Sequence, residues 1–318
     1  MSILVDENTY LIVQGITGRG GRMHAKRLLA YGSNIVGGVT PGRGGETVEG
    51  LPVYNTVQEA MEAHPEINAT LILTPASHIR EAGMEAVEAG IELIVLLAEW
   101  TPVRDTLDVV HAAHKKGLKV IGPNTVGIIS PGKSLVGIMP GNIYGKGHIG
   151  LISRSGTLTH ENSSNLTFAG YGLSTCIGIG GDPVIGMNHK EALEYFRNDD
   201  ETKLIVMIGE IGGGSEEAAA QYIKDTHYPK PIVSYIAGAR APAGKNMGHA
   251  GAIVSGDTGT AASKIEKLQE AGVKIAYTPG QIVDIVATEN EKMGNVLKTL
   301  PENYKRINRK ENVLWELK

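Results

Sequence analysis

The sequence has little of several features that mark particular classes of protein. Its 318 residues include one cysteine, Cys176, which excludes an intramolecular disulfide framework and favours a reducing compartment. No apolar run reaches the length of a membrane span and the first residues are acidic rather than basic, which together predict a cytoplasmic protein with no membrane partner. The formal net charge of −4 argues against a nucleic-acid partner, which normally meets a basic face.

Glycine, by contrast, is abundant, and its distribution indicates a class of fold. The 42 glycines do not form a low-complexity tract but cluster directly after apolar runs, in the ranges 15–21, 37–45, 178–181, 209–214 and 248–256. In α/β proteins the ends of parallel strands are where the backbone meets ligands, so these clusters predict ligand-binding turns. The length also exceeds the comfortable size of one hydrophobic core, which predicts two domains.

Short apolar runs alternate with segments of helical periodicity along most of the chain. This alternation predicts an α/β fold, with parallel sheets covered by helices on both faces. It pauses in a glycine-rich stretch with little periodicity that suits a linker. We therefore predict a doubly wound, Rossmann-like domain over 1–127, a linker over 128–147 and a flavodoxin-like domain over 148–290. Residues 291–318 are predicted to form a loosely ordered extension, with a partner-docking segment as the alternative.

The first glycine turn does not match the dinucleotide-binding fingerprint. A G-x-G-x-x-G match that starts at Gly18 fails because Met23 stands where the last glycine is required. The next strand leads into Thr40 and further glycines, with no acidic residue to bind a ribose hydroxyl. Arg19 and Arg43 in the two turns suit phosphate groups, and the alternative interpretation is a pair of tight turns with solvated arginines.

A second match to a nucleotide-binding pattern fails on its context. Residues 127–134 satisfy G-x-x-x-x-G-K-S/T, which in a phosphate-binding loop runs directly into a helix. Here Ser134 is followed by a segment that two glycines and a proline interrupt, and such a segment does not favour a helix. The sequence therefore does not predict a phosphate-binding loop at this place.

Glu210 and His249 are the candidate catalytic pair. Glu210 stands just past an apolar strand among glycines, a position that points it into the crevice at the strand ends. His249 stands in a similar turn between small residues. If the two meet, the carboxylate would accept the Nδ1 proton and leave Nε2 as the nucleophile. The alternatives are a solvated surface carboxylate and a core histidine that hydrogen bonds satisfy.

The order and wording of the glycine-rich motifs resemble the α subunit of succinyl-CoA synthetase and its relatives, the nucleoside-diphosphate-forming acid–CoA ligases. The resemblance extends from the first residue to about residue 286. Its most specific parts are VTPGRGG at 39–45, SRSGT at 153–157, GIGGDP at 178–183, MIGEIGG at 207–213 and MGHAGA at 247–252. In that family the Rossmann-like domain binds coenzyme A rather than NAD, which accounts for the failed fingerprint.

The resemblance also implies roles for individual residues. The residues implied to contact coenzyme A, the last two of them near its reactive end, are Thr17, Gly18, Arg19, Gly20, Arg43, Pro75, Ala76, Glu99 and Asn124. The histidine of the fifth motif is phosphorylated in the family, so His249 is the implied phosphoryl carrier and Glu210 the carboxylate that orients it. Two turns that open helices would hold the phosphate through Ser153, Ser155, Gly156, Thr157, Gly212 and Gly213. By themselves, the hydroxyls of the first of these turns are better explained as a helix N-cap.

A partner subunit is implied as well. The sequence contains no ATP-grasp domain, so ATP and Mg²⁺ would come from a separate ATP-grasp β subunit in an αβ or α2β2 assembly. His249 would carry a phosphoryl group between the nucleotide site and a carboxylic acid, and the thiol of coenzyme A would capture the acyl group. No metal site is expected in this chain.

Two loops bear on the identity of the acid. Succinyl-CoA synthetases read Pro-Asn-Cys-Pro-Gly where residues 123–127 read PNTVG, and Thr-Glu-Gly-Ile-Pro where residues 98–102 read AEWTP. The TVG and AE sequences resemble ATP-citrate lyase, whose two-subunit relative is citryl-CoA synthetase, while Trp100 matches neither. We therefore expect citrate, with succinate as the alternative and malate third. A non-catalytic CoA-binding regulatory protein is the alternative from another functional class.

Overall fold

A computed structural model describes residues 2–239, 248–253 and 259–301. These residues form two seven-stranded sheets, one after the other along the chain, each packed against helices. Most residues of the strands at the centre of both sheets are buried, as expected for parallel strands with both faces covered. Within the described ranges, every helix is too short or too polar to span a bilayer.

The first sheet has the strand order of a Rossmann fold. Its elements are β1 (Tyr10–Gln14), α1 (Arg19–Tyr31), β2 (Asn34–Val39), β3 (Thr47–Val48), β4 (Leu51–Tyr54), α2 (Val57–Ala63), β5 (Ala69–Ile72), α3 (Ile79–Ala89), β6 (Leu93–Leu96), α4 (Val103–Lys115) and β7 (Lys119–Ile121). The strands are ordered β3-β4-β2-β1-β5-β6-β7, and all pairs are parallel except β3 with β4. Without the short β3, this is the doubly wound 3-2-1-4-5-6 arrangement, so the predicted fold class is confirmed.

The second sheet has a flavodoxin-like core with a hairpin added to one edge. Its elements are β8 (Gly127–Ser130), β9 (Ser134–Gly137), β10 (Lys146–Ser153), α5 (Gly156–Phe168), β11 (Leu173–Gly178), α6 (His189–Arg197), β12 (Leu204–Glu210), α7 (Ser215–Thr226), β13 (Ile232–Ala237), α8 (Ala261–Glu270), β14 (Lys274–Ala276) and α9 (Pro279–Lys292). The order is β14-β13-β12-β10-β11-β8-β9. Its five parallel strands are thus arranged 2-1-3-4-5, as in flavodoxin.

The stretch 128–147, expected to be a linker, instead contributes two strands to the second sheet. β8 and β9 form an antiparallel hairpin, and β8 also pairs antiparallel with β11. The glycines that suggested a linker are needed for close approach, because Gly127 and Gly137 are paired and a Cβ on either would overlap the opposite backbone. The hairpin also excludes a phosphate-binding loop, since Lys133 lies in its turn and binds Glu201 at 2.7 Å rather than starting a helix.

The C-terminal extension packs on the second sheet as far as the structure describes it. After α9, Leu297 is completely buried, and the backbone amides of Thr299 and Leu300 both donate to the Gly170 carbonyl at 3.1 Å. The prediction of a loosely ordered extension is therefore wrong for residues 291–301, because an apolar side chain anchors them to the body. The rest of the extension, residues 302–318, lies outside the described residues.

Candidate active site

The structure brings Glu210 and His249 into direct contact. Glu210 is the last residue of β12, and His249 Nδ1 lies 2.7 Å from its Oε2 atom. The side chain of Glu210 is 7% exposed and that of His249 is 25% exposed, so the carboxylate is buried beneath a ring that remains accessible. With Nδ1–H donating to Glu210, the Nε2 lone pair is available to an electrophile.

Arg154 completes this charged group from a neighbouring strand end. It directly follows β10, is buried, and places Nε 3.4 Å from Glu210 Oε1. Its Nη1 atom also donates to the carbonyl of Gly212 at 3.4 Å. Arg154 is not among the site residues predicted from the sequence, although it is the only charged residue of the motif at residues 153–157. His249 and Arg154 therefore contact different oxygens of the Glu210 carboxylate.

The surroundings of His249 change its proton affinity. The hydrogen bond to Glu210 raises the pKa of His249 above 6.5, and this effect outweighs both the burial of the ring and the charge of Arg154, which lower the pKa. A raised pKa means that the imidazolium is stabilised in the site. The neutral, nucleophilic ring consequently predominates only at a pH above that raised value.

Glycines let the backbone approach the imidazole closely. A Cβ on Gly181 would lie 2.6 Å from Cγ and Nδ1 of His249, and a Cβ on Gly251 would lie 2.6 Å from Nη2 of Arg154. The two glycines are also joined directly, since the amide of Gly251 donates to the carbonyl of Gly181 at 3.1 Å. The loop after β11 therefore fixes the position of the loop that carries His249.

Two strand ends of the first sheet reach the same crevice. Asn124, after β7, donates from Nδ2 to Asp182 Oδ1 at 3.0 Å and accepts the amide of Gly181 through its carbonyl at 3.2 Å. Burial raises the pKa of Asp182 above its ordinary value, and the nearby charge of Glu99 acts in the same direction. Asn124 and Glu99 thus lie beside the histidine loop, where the resemblance would place the reactive end of the cofactor.

Two helices begin close to these side chains. Ser155 caps α5 by accepting the amide of Leu158, while buried Ser153 donates to the carbonyl of Ser155, so these hydroxyls are used within the turn. Two further phosphate ligands are predicted in this turn: Gly156, which is the first residue of α5, and Thr157, which is exposed. α7 follows the predicted Gly212 and Gly213, both with positive φ, and has no side-chain cap. Its first-turn amides therefore offer the better anion site.

The first glycine turn opens onto a separate cavity of about 560 Å³. Four of the predicted cofactor contacts line it, namely Thr17, Gly18, Gly20 and Pro75. Arg19, Ala76 and Arg43 are not among the lining residues. Arg43 is instead paired with Glu46, its Nη2 lying 2.8 Å from Oε2. The cavity is therefore lined by none of the predicted arginines, and its charged lining residues are Glu81 and Glu85.

The glycine turn at residues 15–21 has a different glycine spacing from the G-x-G-x-x-G dinucleotide-binding pattern. Gly15 has φ +81°, Gly18 precedes α1, and a Cβ on Gly21 would lie 2.2 Å from the carbonyl oxygen of Gly15. The operative pattern is therefore G-x-x-G-x-x-G from residue 15, with the last glycine allowing α1 to pack on the strand end.

Among the described residues no group of three or more His, Cys, Asp or Glu side chains could hold a metal ion.

Comparison with known families and proteins agrees with this geometry. The family described as CoA binding domain matches residues 6–100, and the family described as CoA-ligase matches residues 152–274. The first match contains the glycine turn and its cavity. The second contains Arg154, Glu210 and His249.

Known relatives cover nearly the whole chain. An α subunit of succinate–CoA ligase (ADP-forming) from Archaeoglobus fulgidus is 50% identical over 287 residues, which is 90% of this chain and 99% of that protein. The corresponding subunit of Aquifex aeolicus is 50% identical over 289 residues, 90% of this chain and 94% of that one. A structure of an ATP citrate lyase variant from Methanosaeta concilii with (3S)-citryl-CoA matches with a TM-score of 0.84 at 25% identity, over 98% of this chain and 56% of the longer enzyme. The chain therefore belongs to the succinate–CoA ligase α-subunit family of acid–thiol ligases, as its motifs predicted.

Proposed function

We propose that this chain is the CoA-binding, phosphohistidine-bearing subunit of an ADP-forming acid–CoA ligase. The observation that carries the proposal is the 2.7 Å contact between His249 Nδ1 and Glu210 Oε2, which makes Nδ1–H the donor and puts the lone pair of the 25% exposed ring on Nε2. A histidine buried for packing alone does not need a buried carboxylate aligned with one of its nitrogens. The family membership supports the class of reaction.

The chemistry divides into three transfers. Nε2 attacks the γ-phosphorus of ATP, so that an N–P bond forms, the bond to the β-phosphate oxygen breaks and ADP leaves. A carboxylate oxygen of the acid then attacks that phosphorus, which breaks the N–P bond, forms an acyl phosphate and restores the imidazole. The thiolate of coenzyme A finally attacks the acyl carbon and expels phosphate. Glu210 stabilises the positive charge on the ring in the first step.

The nucleotide would be supplied by a partner. The matched families account for a CoA-binding part and a CoA-ligase part of this chain, and the relatives are named as α subunits. The partner we propose is an ATP-grasp β subunit that binds ATP with Mg²⁺ and brings it to His249. The uncapped start of α7, beside Gly212, would hold the transferred phosphoryl group.

Succinate is the acid that the relatives favour. The proteins that are about half identical to this chain are named succinate–CoA ligases, so the expectation of citrate from two loops is not what these relatives support. Citrate remains the second candidate because the PNTVG loop at residues 123–127 resembles ATP-citrate lyase and Thr125 of that loop makes two hydrogen bonds within the site. Thr125 accepts the amide of Gly127 at 2.9 Å and donates to the carbonyl of Gly178, so the threonine shapes the loop beside Asn124.

Labelling tests the phosphohistidine. The full chain, combined with its β subunit and γ-labelled ATP, should acquire label that is labile in acid, stable in base and located on His249. A His249→Asn variant should acquire none while it keeps its affinity for coenzyme A, which controls for folding. Label that persists in the variant would exclude His249 as the phosphoryl carrier. Absence of label from the wild-type complex would exclude the phosphohistidine and favour a non-catalytic CoA-binding protein.

A panel of acids tests the substrate. Succinate, citrate and malate are each supplied with ATP and coenzyme A, and ADP release is measured. Turnover of succinate alone would exclude citrate as the substrate, and turnover of citrate alone would exclude succinate. A Thr125→Cys variant sharpens the test, because we expect it to alter the ratio of the two rates if this loop selects the acid.

A further inference from the structure

A fully buried lysine lies behind the carboxylate that holds His249. Lys264, in the first turn of α8, is 0% exposed, and its ammonium group makes three short contacts. It donates to Glu216 Oε2 at 2.5 Å, to Glu217 Oε2 at 2.8 Å and to the carbonyl of Gly213 at 2.9 Å. All three N–H donors are therefore used, as a buried charge requires.

Glu216 connects this lysine to Glu210. It too is 0% exposed, and its second oxygen, Oε1, accepts the backbone amide of Glu210 at 3.1 Å. Gly209 makes this approach possible, because a Cβ there would lie 2.6 Å from both Cγ and Oε1 of Glu216. Burial acts to raise the pKa of Glu216, but the charges of His189, Lys264 and Arg154 outweigh it and lower the pKa, so the side chain stays a carboxylate.

The same lysine also fastens the turn that follows Glu210. Its contact with the Gly213 carbonyl holds the start of α7, and the amide of Gly212 donates to the carbonyl of Gly259 at 2.8 Å, just before α8. Gly212 in turn lies against the histidine loop, since a Cβ there would be 2.2 Å from the Gly251 carbonyl oxygen. One buried group thus ties α8, the α7 start and the end of β12 together behind His249.

We propose that Lys264 and Glu216 are positioning residues that keep the Glu210 carboxylate in contact with His249 Nδ1. Neither touches the imidazole, so they act through the backbone of Glu210 and through the Gly212–Gly213 turn. A stability role alone would not require the pair, because a buried ion pair is often replaced by apolar side chains without loss of stability. The inference rests on the proposed function where it concerns phosphoryl transfer, but its structural part can be tested independently.

The test removes both buried charges together. A Lys264→Met/Glu216→Leu variant of the full chain removes both of the charges that are 0% exposed, and it leaves Glu217, which is 13% exposed, without its ammonium partner. We expect the variant to fold and bind coenzyme A as the wild type does, with the NMR-measured pKa of His249 lowered toward 6.5. In the complex with the β subunit, its rate of phosphorylation should fall about tenfold or more, because the ring is less well oriented. Glu216→Gln, which keeps Lys264 paired with Glu217, should shift the pKa in the same direction by less and serves if the double variant does not fold.

Another ion pair of the same sheet provides the matched control. Lys133→Met/Glu201→Leu removes a partly buried pair of similar length, 2.7 Å, between the hairpin turn and the segment before β12, and should leave the pKa of His249 unchanged. The groups that face His249 are Glu210, Arg154 and Asp182, and all of the variants retain them. An unshifted pKa with wild-type phosphorylation in both Glu216 variants would overturn the positioning role. A shifted pKa in a chain whose wild type is never phosphorylated would uphold the positioning role and overturn the proposed function.

Discussion

The two ligand-binding strand ends of this chain are built in opposite ways. The first is an open cavity of about 560 Å³ lined mainly by glycine, threonine, proline and apolar residues, with Glu81 and Glu85 as its charged lining residues. The second is filled with charged side chains that bind one another: His249 with Glu210, and Glu210 with Arg154. The first arrangement makes room for a large ligand, whereas the second sets the orientation and proton affinity of one ring.

This difference predicts which substitutions separate binding from chemistry. Changes at the charged site should alter rates and pH dependence with little effect on coenzyme A affinity. Changes at the cavity should weaken coenzyme A binding with little effect on the rate of phosphorylation or its pH dependence. Substitutions of Glu210, Gly20 and Arg43 test this separation, beginning with the largest expected effect.

Glu210→Gln should have the largest effect on chemistry. Without the carboxylate, the imidazolium formed during phosphorylation loses its partner, and we expect the rate of His249 labelling to fall about 100-fold. The pKa of His249 should fall as well, since the hydrogen bond to Glu210 is what raises it. The residual labelling should therefore reach its plateau at a lower pH than in the wild type. Quenched-flow labelling across a pH series measures both quantities.

The stability of Glu210→Gln relative to the wild type should also depend on pH. Because the folded pKa of His249 is raised above 6.5, the contact stabilises the fold fully at pH values below 6.5 and loses this contribution as the pH rises through the folded pKa. The difference in melting temperature between the wild type and Glu210→Gln should accordingly narrow from acidic to alkaline pH. Coenzyme A affinity is the control and should stay unchanged. Equal losses of affinity and rate would contradict the separation of the two sites.

The sequence predicted the parallel sheets because continuous apolar runs followed by glycines report burial on both faces. It carries no strand signal at β4, where Pro52 interrupts a run of only four residues, and none at the hairpin, where Gly127 and Gly137 resemble linker residues. In each case the decisive interaction was with another strand, which local periodicity does not record.

The site shows the same limit. Glu210 and His249 were identifiable as unusual residues at strand ends, and the contact between them was predicted as a condition. Arg154 was not selected, because its role depends on a partner 56 positions away that only the strand order brings near. Lys264 gave no signal at all, since a lysine on an amphipathic helix is normally solvated.

Gly20→Leu should have an intermediate effect, and on the cavity alone. Gly20 lies in the first turn of α1, lines the cavity, and has nothing within 4 Å of the position of a Cβ. The added side chain should occupy ligand space and weaken coenzyme A binding about tenfold, while the helix gains roughly 0.5–1 kcal/mol over glycine. Gly280→Leu, in the first turn of α9 with equally open surroundings, is the matched control. Calorimetric titration should show a weakened affinity for the first variant only, and equal affinities would exclude this cavity as the cofactor site.

Arg43→Gln should have the smallest effect. The resemblance implies that Arg43 contacts a phosphate of the cofactor, yet the structure pairs its guanidinium with Glu46 at an exposed position. A phosphate would have to replace that carboxylate, so the net gain is small and we expect affinity to change by less than about threefold. Glu46→Gln, which releases the arginine, should strengthen binding by a similar factor and increase its dependence on salt, because a free cation is then available to the phosphate. A tenfold loss in Arg43→Gln would instead show that the arginine leaves Glu46 and binds the ligand directly, which would add a cation to a cavity whose charged lining residues are Glu81 and Glu85.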